Sequence, residues 1–183
     1  MRIISGEARG VKIATPEGDD TRPTMERVKE AMFSTIQFGV PGSHVLDLYA
    51  GSGQLGIEAL SRGATYAVFV DANKKVTQII HLNLKACKLA EKAEVFTATA
   101  ESYLARTSKK FDYIFLDPPY GQNTIEKILP KVEKVTVENG IVFCETETSA
   151  TLPEKVGSLI LKKKYKYGRI LLWRYQKTQE EEE

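Results

Sequence analysis

Two short segments carry residue types that could do chemistry together. Asp117-Pro118-Pro119-Tyr120 follows the apolar run Tyr113-Ile114-Phe115-Leu116. Two consecutive prolines remove two N–H donors and fix φ, so the turn is stiff and its carbonyls stay available as acceptors. An exocyclic amine on a heteroaromatic base needs such acceptors, because its lone pair is delocalised into the ring. Hydrogen bonds from that amine to Asp117 Oδ and to the Pro118 carbonyl favour a tetrahedral nitrogen whose lone pair can attack a methyl donor. Tyr120 suits stacking on the base, worth roughly 1–3 kcal/mol, comparable to the cost of extracting a base from its stack. The residues leave open whether Asp117 removes the proton or only orients the amine. A rigid turn without chemistry is the plain alternative for the same four residues.

The second segment is Asp47-Leu48-Tyr49-Ala50-Gly51-Ser52-Gly53, which leaves one apolar run and enters a helical one. Glycines there let backbone approach a ligand, and a helix N-terminus supplies free N–H donors. Gly51, Gly53 and Gly56 also spell G-x-G-x-x-G, with Asp71 twenty residues after Gly51, so a dinucleotide cofactor such as NAD is a competing reading. S-adenosylmethionine (SAM) has no pyrophosphate and carries an α-ammonium, which Asp47 would pair with by a charge-assisted hydrogen bond. Asp47 capping its own turn is the alternative. Asp71, with Ala72 beside it, suits the ribose diol of either cofactor. Thr99 and the backbone near Ala100 stand where an adenine edge would lie, although a helix N-cap explains Thr99 equally well.

These loops need strands and helices to hold them. Val45–Tyr49, Ala67–Val70, Val95–Ala98, Tyr113–Leu116 and Ile141–Cys144 read as strands, and roughly 54–62, 73–89, 100–106 and 123–134 as helices. On the second helix Val76, Ile80, Asn83 and Cys87 share a face. Alternation of this kind predicts a Rossmann-like α/β fold, a mostly parallel, doubly wound sheet covered on both faces. Ahead of it, Arg2–Ser5 and Val11–Ala14 read as a hairpin around Glu7–Gly10. A helix then begins near Thr24 with Val28, Met32 and Ile36 at intervals of four. At the far end 158–166 and 169–176 must pair antiparallel, since they turn near Tyr167-Gly168 with no room for a crossover. Residues 1–179 are thus expected to form one domain, with 1–40 as an extension of hairpin and helix and the acidic tail 180–183 disordered.

Composition narrows the class. With 42% hydrophobic and 27% charged residues the chain is of ordinary globular make-up. No run approaches the roughly 18 apolar residues of a membrane span, so a cytoplasmic protein without membrane contact is expected. Cys87 and Cys144 have no close-spaced Cys or His partner, which excludes a zinc motif, and no metal is expected. Set aside the four glutamates of the tail and 26 basic residues face 20 acidic ones. The stretch 155–179 holds eight basic residues and no acidic one. Lys162, Lys164 and Arg169 in it are candidates for contact with a polyanion, against the alternative of a solvated hairpin surface.

With these segments in place, the chain resembles the RsmD family, bacterial methyltransferases that modify guanine N2 in 16S ribosomal RNA. The resemblance runs through Arg2-Ile3-Ile4-Ser5-Gly6 with Arg9-Gly10, Thr21-Arg22-Pro23-Thr24 into Arg27-Val28-Lys29-Glu30, and Asp47 to Gly53. It continues through Leu55-Gly56-Ile57-Glu58-Ala59-Leu60-Ser61-Arg62-Gly63-Ala64 and Leu116-Asp117-Pro118-Pro119-Tyr120. It implies that Asp47, Gly51, Gly53 and Asp71 bind SAM and that Asp117 to Tyr120 hold the target guanine. Arg22 and Thr24 would sit beside the active site, with Arg22 gripping a phosphate or carboxylate and helix entry as the other role for Thr24. The implied partner is 16S rRNA in the small ribosomal subunit or an assembly intermediate. Family members often carry Asp at the position of Thr99, so backbone is the expected adenine contact here. An adenine-N6 methyltransferase of DNA or RNA, and a nonenzymatic RNA chaperone retaining the fold, are the alternatives.

Overall fold

The computed structural model describes residues 1–16, 23–119 and 124–179. Arg22, Tyr120 and the tail 180–183 lie outside them; Thr24 is described only as backbone, in the first turn of a helix.

Helix α1 (Pro23–Ile36) leads into β1 (His44–Leu48), α2 (Gln54–Ser61), β2 (Tyr66–Asp71) and α3 (Lys74–Ala86). A 3-10 turn (Ala90–Lys92) precedes β3 (Ala93–Thr97), followed by α4 (Ala100–Arg106), β4 (Phe111–Leu116), α5 (Thr124–Val135) and β5 (Thr136–Glu147). The chain closes with β6 (Lys155–Val156), β7 (Leu159–Tyr167) and β8 (Ile170–Lys177). One eight-stranded sheet has the order β3-β2-β1-β4-β5-β8-β7-β6, with β1 to β5 parallel and the last three strands antiparallel to their neighbours. The expected Rossmann-like sheet is therefore present.

Burial on both faces explains the apolar strands. Val45, Ala67, Phe69, Phe115 and Phe143 pack on one face against α1, α2 and α3. Leu46, Leu48, Val68, Ile114 and Val142 pack on the other against α4 and α5. Val28, Met32 and Ile36 of α1 are buried as their four-residue spacing requires, joined by Phe33. On α3, Ile80, Asn83 and Cys87 are buried, with Val76 at the margin.

The expected amino-terminal hairpin is present: Arg2 and Lys12 form an antiparallel bridge, the Ile3 N–H donates to the Val11 carbonyl, the Gly10 N–H to the Ile3 carbonyl and the Ile13 N–H to the Met1 carbonyl. Its outward amides turn to α2: the Ile4 and Ser5 N–H groups donate to the two carboxylate oxygens of Glu58 at 2.9 and 3.0 Å. Ser61 Oγ donates to the Ser5 carbonyl and accepts from the Ala8 N–H. Glu58 also pairs with Arg62 and, at 3.5 Å, with the buried Lys29, whose ammonium burial pushes below its ordinary pKa. A carboxylate removed from water needs these donors, and satisfying it ties the arm to α2. One expectation needs correction: β5 begins at Thr136 directly after α5, five residues before its apolar run. Asn139 sits there with φ 61°, and the pairing with β4 shifts between Phe111 and Tyr113. The extra residues are irregular sheet and lack the hydrophobic alternation that sequence reading relies on.

Candidate active site

The sheet order reverses between β1 and β4. From β1 the chain steps outward through β2 and β3, whereas β4 and β5 lie on the other side, and a crevice opens outside the carboxyl ends at such a point. Leu48 is in register with Leu116 on one side and with Val70 on the other, while Asp71 is in register with Thr97. The segments beginning at Tyr49, Asp71, Ala98 and Asp117 therefore share one edge. All the described loop residues singled out for chemistry leave the sheet there, although they span seventy residues of chain.

The loop after β1 is tightly wound. Tyr49 has φ 60° and Gly51 φ 53°, and the Gly53 N–H donates to the Ala50 carbonyl at 2.7 Å. At Gly51 a Cβ would meet nothing within 4 Å among the described residues, so that flank of the loop is open. For Tyr49 the left-handed conformation costs roughly 1–2 kcal/mol, and its buried hydroxyl has no hydrogen-bond partner among the described residues. Strain and an orphaned polar atom beside an open backbone flank are features that ligand sites accumulate. Burial, with the Glu101 carboxylate nearby, raises the Tyr49 phenol well above its ordinary pKa.

Asp47 does not face the crevice. Its side chain is 2% exposed, and Oδ2 accepts the Gly56 N–H at 2.9 Å. Gly53 caps α2 without a side chain, so Asp47 satisfies a free donor of the first turn from below. Burial raises its pKa to about 8, the Gly56 hydrogen bond opposing and Asp71 reinforcing the shift. The expected partner of the SAM ammonium is in this geometry a buried support of the helix. Asp71 is half-buried; Oδ2 accepts from the Gly51 N–H at 3.2 Å and Oδ1 from the Asn73 N–H at 2.9 Å. A carboxylate has about four acceptor positions, so these two bonds leave room for a diol. Ala72 is exposed. Thr99 caps α4, accepting from the Ser102 N–H at 3.1 Å, and Ala100 packs into the core, which leaves only backbone there for an adenine.

Asp117 is half-buried, Pro118 buried and Pro119 exposed. At the distant edge Cys144 is in register with Leu116 and with Trp173, and Trp173 with Lys164. The β7–β8 turn therefore lies beyond the row in which the Asp117-Pro118-Pro119 turn begins, at the same edge of the sheet. Lys162, Lys164 and Arg169 are exposed, and the Lys164 ammonium rests 4.3 Å from the centroid of the buried Trp173 ring. Three strand spacings of about 4.8 Å place that row within some 15 Å of β4.

Asn83 was legible only as a polar residue on an apolar helical face. Its amide bonds both to the arm at Ala14 and to the glycine loop at Ser52. Among the described residues no group of three His, Cys, Asp or Glu side chains could hold a metal, and no helix is long and apolar enough to cross a membrane.

A sequence profile described as Conserved hypothetical protein 95 matches residues 1–176. The YlbH protein of Bacillus subtilis is 40% identical over 173 residues, covering 92% of this chain and 94% of YlbH. Ribosomal RNA small subunit methyltransferase D of Escherichia coli is 31% identical over 179 residues, covering 97% and 90%. The chain belongs to the RsmD family of methyltransferases. A solved structure of the Escherichia coli yhhF protein superposes on it with a TM-score of 0.85 at 31% identity, covering 97% of this chain and 98% of that one. In this RsmD-family chain the amino-terminal blocks and the α2 block turn out to be one unit. Ile4 and Ser5 bind Glu58, Ser61 holds Ser5 and Ala8, and Lys29 reaches the Arg2 carbonyl at 3.0 Å.

Proposed function

We propose that this chain transfers a methyl group from SAM to the exocyclic N2 amine of a guanine in 16S rRNA, on the small ribosomal subunit or an assembly intermediate, in the cytoplasm. The observation that carries the reading is the register of Leu48 with Leu116, which sets the glycine loop and the Asp-Pro-Pro turn side by side at the switch point. The family supports the reaction class, and the name of the Escherichia coli relative supports the RNA.

The residues fit the cofactor. The open flank at Gly51 admits a ligand against backbone, Asp71 retains acceptor capacity for a ribose, and Ala72 and the backbone of Thr99 and Ala100 border the adjoining edge. Gly53 and Asp47 shape the loop from beneath, and the strained Tyr49 and Ala50 form its outer turn. Bound there, SAM supplies an electrophilic methyl group. Asp117 accepts an N–H of the guanine amine and the Pro118 carbonyl a second, which turns the nitrogen lone pair toward that methyl. Pro119 keeps the turn rigid and Tyr120 stacks on the base. Because the nucleophile is neutral and the donor cationic, alignment of the two reactants supplies most of the acceleration. The amine proton leaves through Asp117 or to water once the nitrogen has become cationic.

Arg22 and Thr24 are assigned to the substrate, and Lys162, Lys164 and Arg169 to its phosphates. The test is to incubate labelled SAM with small subunits from an unmodified strain and map the product. N2-methylguanosine at one nucleotide is expected. N6-methyladenosine with unchanged guanine would transfer the reading to the adenine enzymes, and SAM binding without methylation would favour a chaperone.

A further inference from the structure

Asn83 sits on α3, 2% exposed, and makes three hydrogen bonds with one side-chain amide. Oδ1 accepts the Ala14 N–H at 2.8 Å, and Nδ2 donates to the Ala14 carbonyl at 2.8 Å and to the Ser52 carbonyl at 2.9 Å. The first two form a closed pair with a single residue, as a neighbouring strand would. The third reaches into the turn between Gly51 and Gly53. Both of its donors and one acceptor position are thus engaged by two segments: the end of the amino-terminal arm and the loop assigned to the cofactor.

Ala14 is exposed, whereas Ile13 beside it is buried and donates to the Met1 carbonyl. A shift of the Ser52 carbonyl changes the geometry of both Nδ2 bonds, because the two donors share one rigid planar group. A buried amide that lost either acceptor would keep an unsatisfied donor, so the two segments favour moving together.

We propose that Asn83 is a positioning residue that couples the state of the cofactor loop to the amino-terminal arm, so that filling the loop orders the arm at Ala14. The inference rests on the cofactor assignment above but needs neither turnover nor a particular base.

The test uses the full chain, S-adenosylhomocysteine as a non-reacting probe and hydrogen exchange as the readout. In the parent the probe should slow exchange at the Ala14 N–H by about fivefold or more, the lower end of ordinary coupling energies. Asn83→Asp keeps the oxygen that accepts from Ala14 and loses both Nδ2 donors. In it the Ala14 amide should no longer respond to the probe, although the probe still binds. A merely structural role would lower Tm and leave the response in place. Should Asn83→Asp fail to fold, Asn83→Leu removes all three hydrogen bonds with a side chain of similar shape, and the response is again read at Ala14 and Ile13.

An Ala14 or Ile13 amide that ignores the probe in the parent, or responds equally in the variants, overturns the proposal. In parallel, the probe should tighten binding of unmodified small subunits to the parent and lose that effect in the variants; an effect that persists counts against the coupling. Failure of the particle to bind at all would remove the ribosomal reading and leave the exchange result to decide this one.

Discussion

The Asp47 carboxylate lies beneath the first turn of α2 and takes the Gly56 N–H at 2.9 Å, shut off from solvent. Burial raises its pKa from 3.8 to about 8. Between those values the folded chain retains a proton that the unfolded chain has released, so this group makes stability fall as pH rises across that window. Asp47→Asn retains an acceptor for Gly56 and removes the titration. Its Tm relative to the parent should improve steadily from pH 5 to pH 8. Parallel curves for the two proteins across that range would show that Asp47 is ionised in the fold.

Asp117→Ala should separate chemistry from cofactor binding. Removing the acceptor of the amine should lower kcat by about 100-fold or more, the usual scale for a positioned acid–base group. The affinity for SAM, measured by calorimetry, should stay within about threefold of the parent, because an interaction made mainly in the transition state leaves ground-state binding alone. Equal loss of both would mean that Asp117 belongs to the cofactor site.

The basic hairpin is tested by salt. Lys162→Ala with Lys164→Ala should weaken binding of the small subunit and reduce the slope of log K against log salt by about 1.5, since each lost phosphate contact removes roughly 0.7–0.9. An unchanged slope would return these lysines to the solvated surface. Lys164 has a second role to control for, because it covers Trp173. The melting temperature of the double variant should accompany the measurement.

Gly6→Ala should undock the arm. Gly6 has φ 84°, and a Cβ there would lie 1.7 Å from the Ser61 carbonyl oxygen, so the arm must move. Glu58 would then lose its hydrogen bonds from Ile4 and Ser5 while remaining buried beside Lys29. Destabilisation of about 3 kcal/mol or more is expected, a fall in Tm of roughly 6–12 °C. Exchange at the Ile4 and Ser5 amides should quicken; amides as protected as in the parent would mean that the arm is held by other contacts.

Periodicity made most of the framework legible. The four-residue spacing of Val28, Met32 and Ile36 and the apolar runs around Leu46, Val68 and Ile114 announced α1 and the central strands, because each pattern reports which side of an element is dry. The positions of both loops followed from strand ends. The role of Asp47 did not, since an acid at the end of a strand reads the same whether its carboxylate faces a ligand or a helix. The hairpin of the amino-terminal arm was legible in its residues, but the bonds of its Ile4 and Ser5 amides to Glu58 were not, because that acceptor lies more than fifty residues on.

By itself the sequence determined the order of strands and helices, the stiffness of Asp117-Pro118-Pro119 and the charge of the last hairpin, all properties of residues close together in the chain. Only the tertiary structure decided what the polar side chains do. Asp47 meets Gly56 nine residues on, Asp71 meets Gly51 twenty residues back, and Glu58 meets Ser5 across fifty-three. A buried carboxylate or amide bonds to whichever donor or acceptor the packing delivers, and that delivery depends on how the strands align, as Leu48 and Leu116 do.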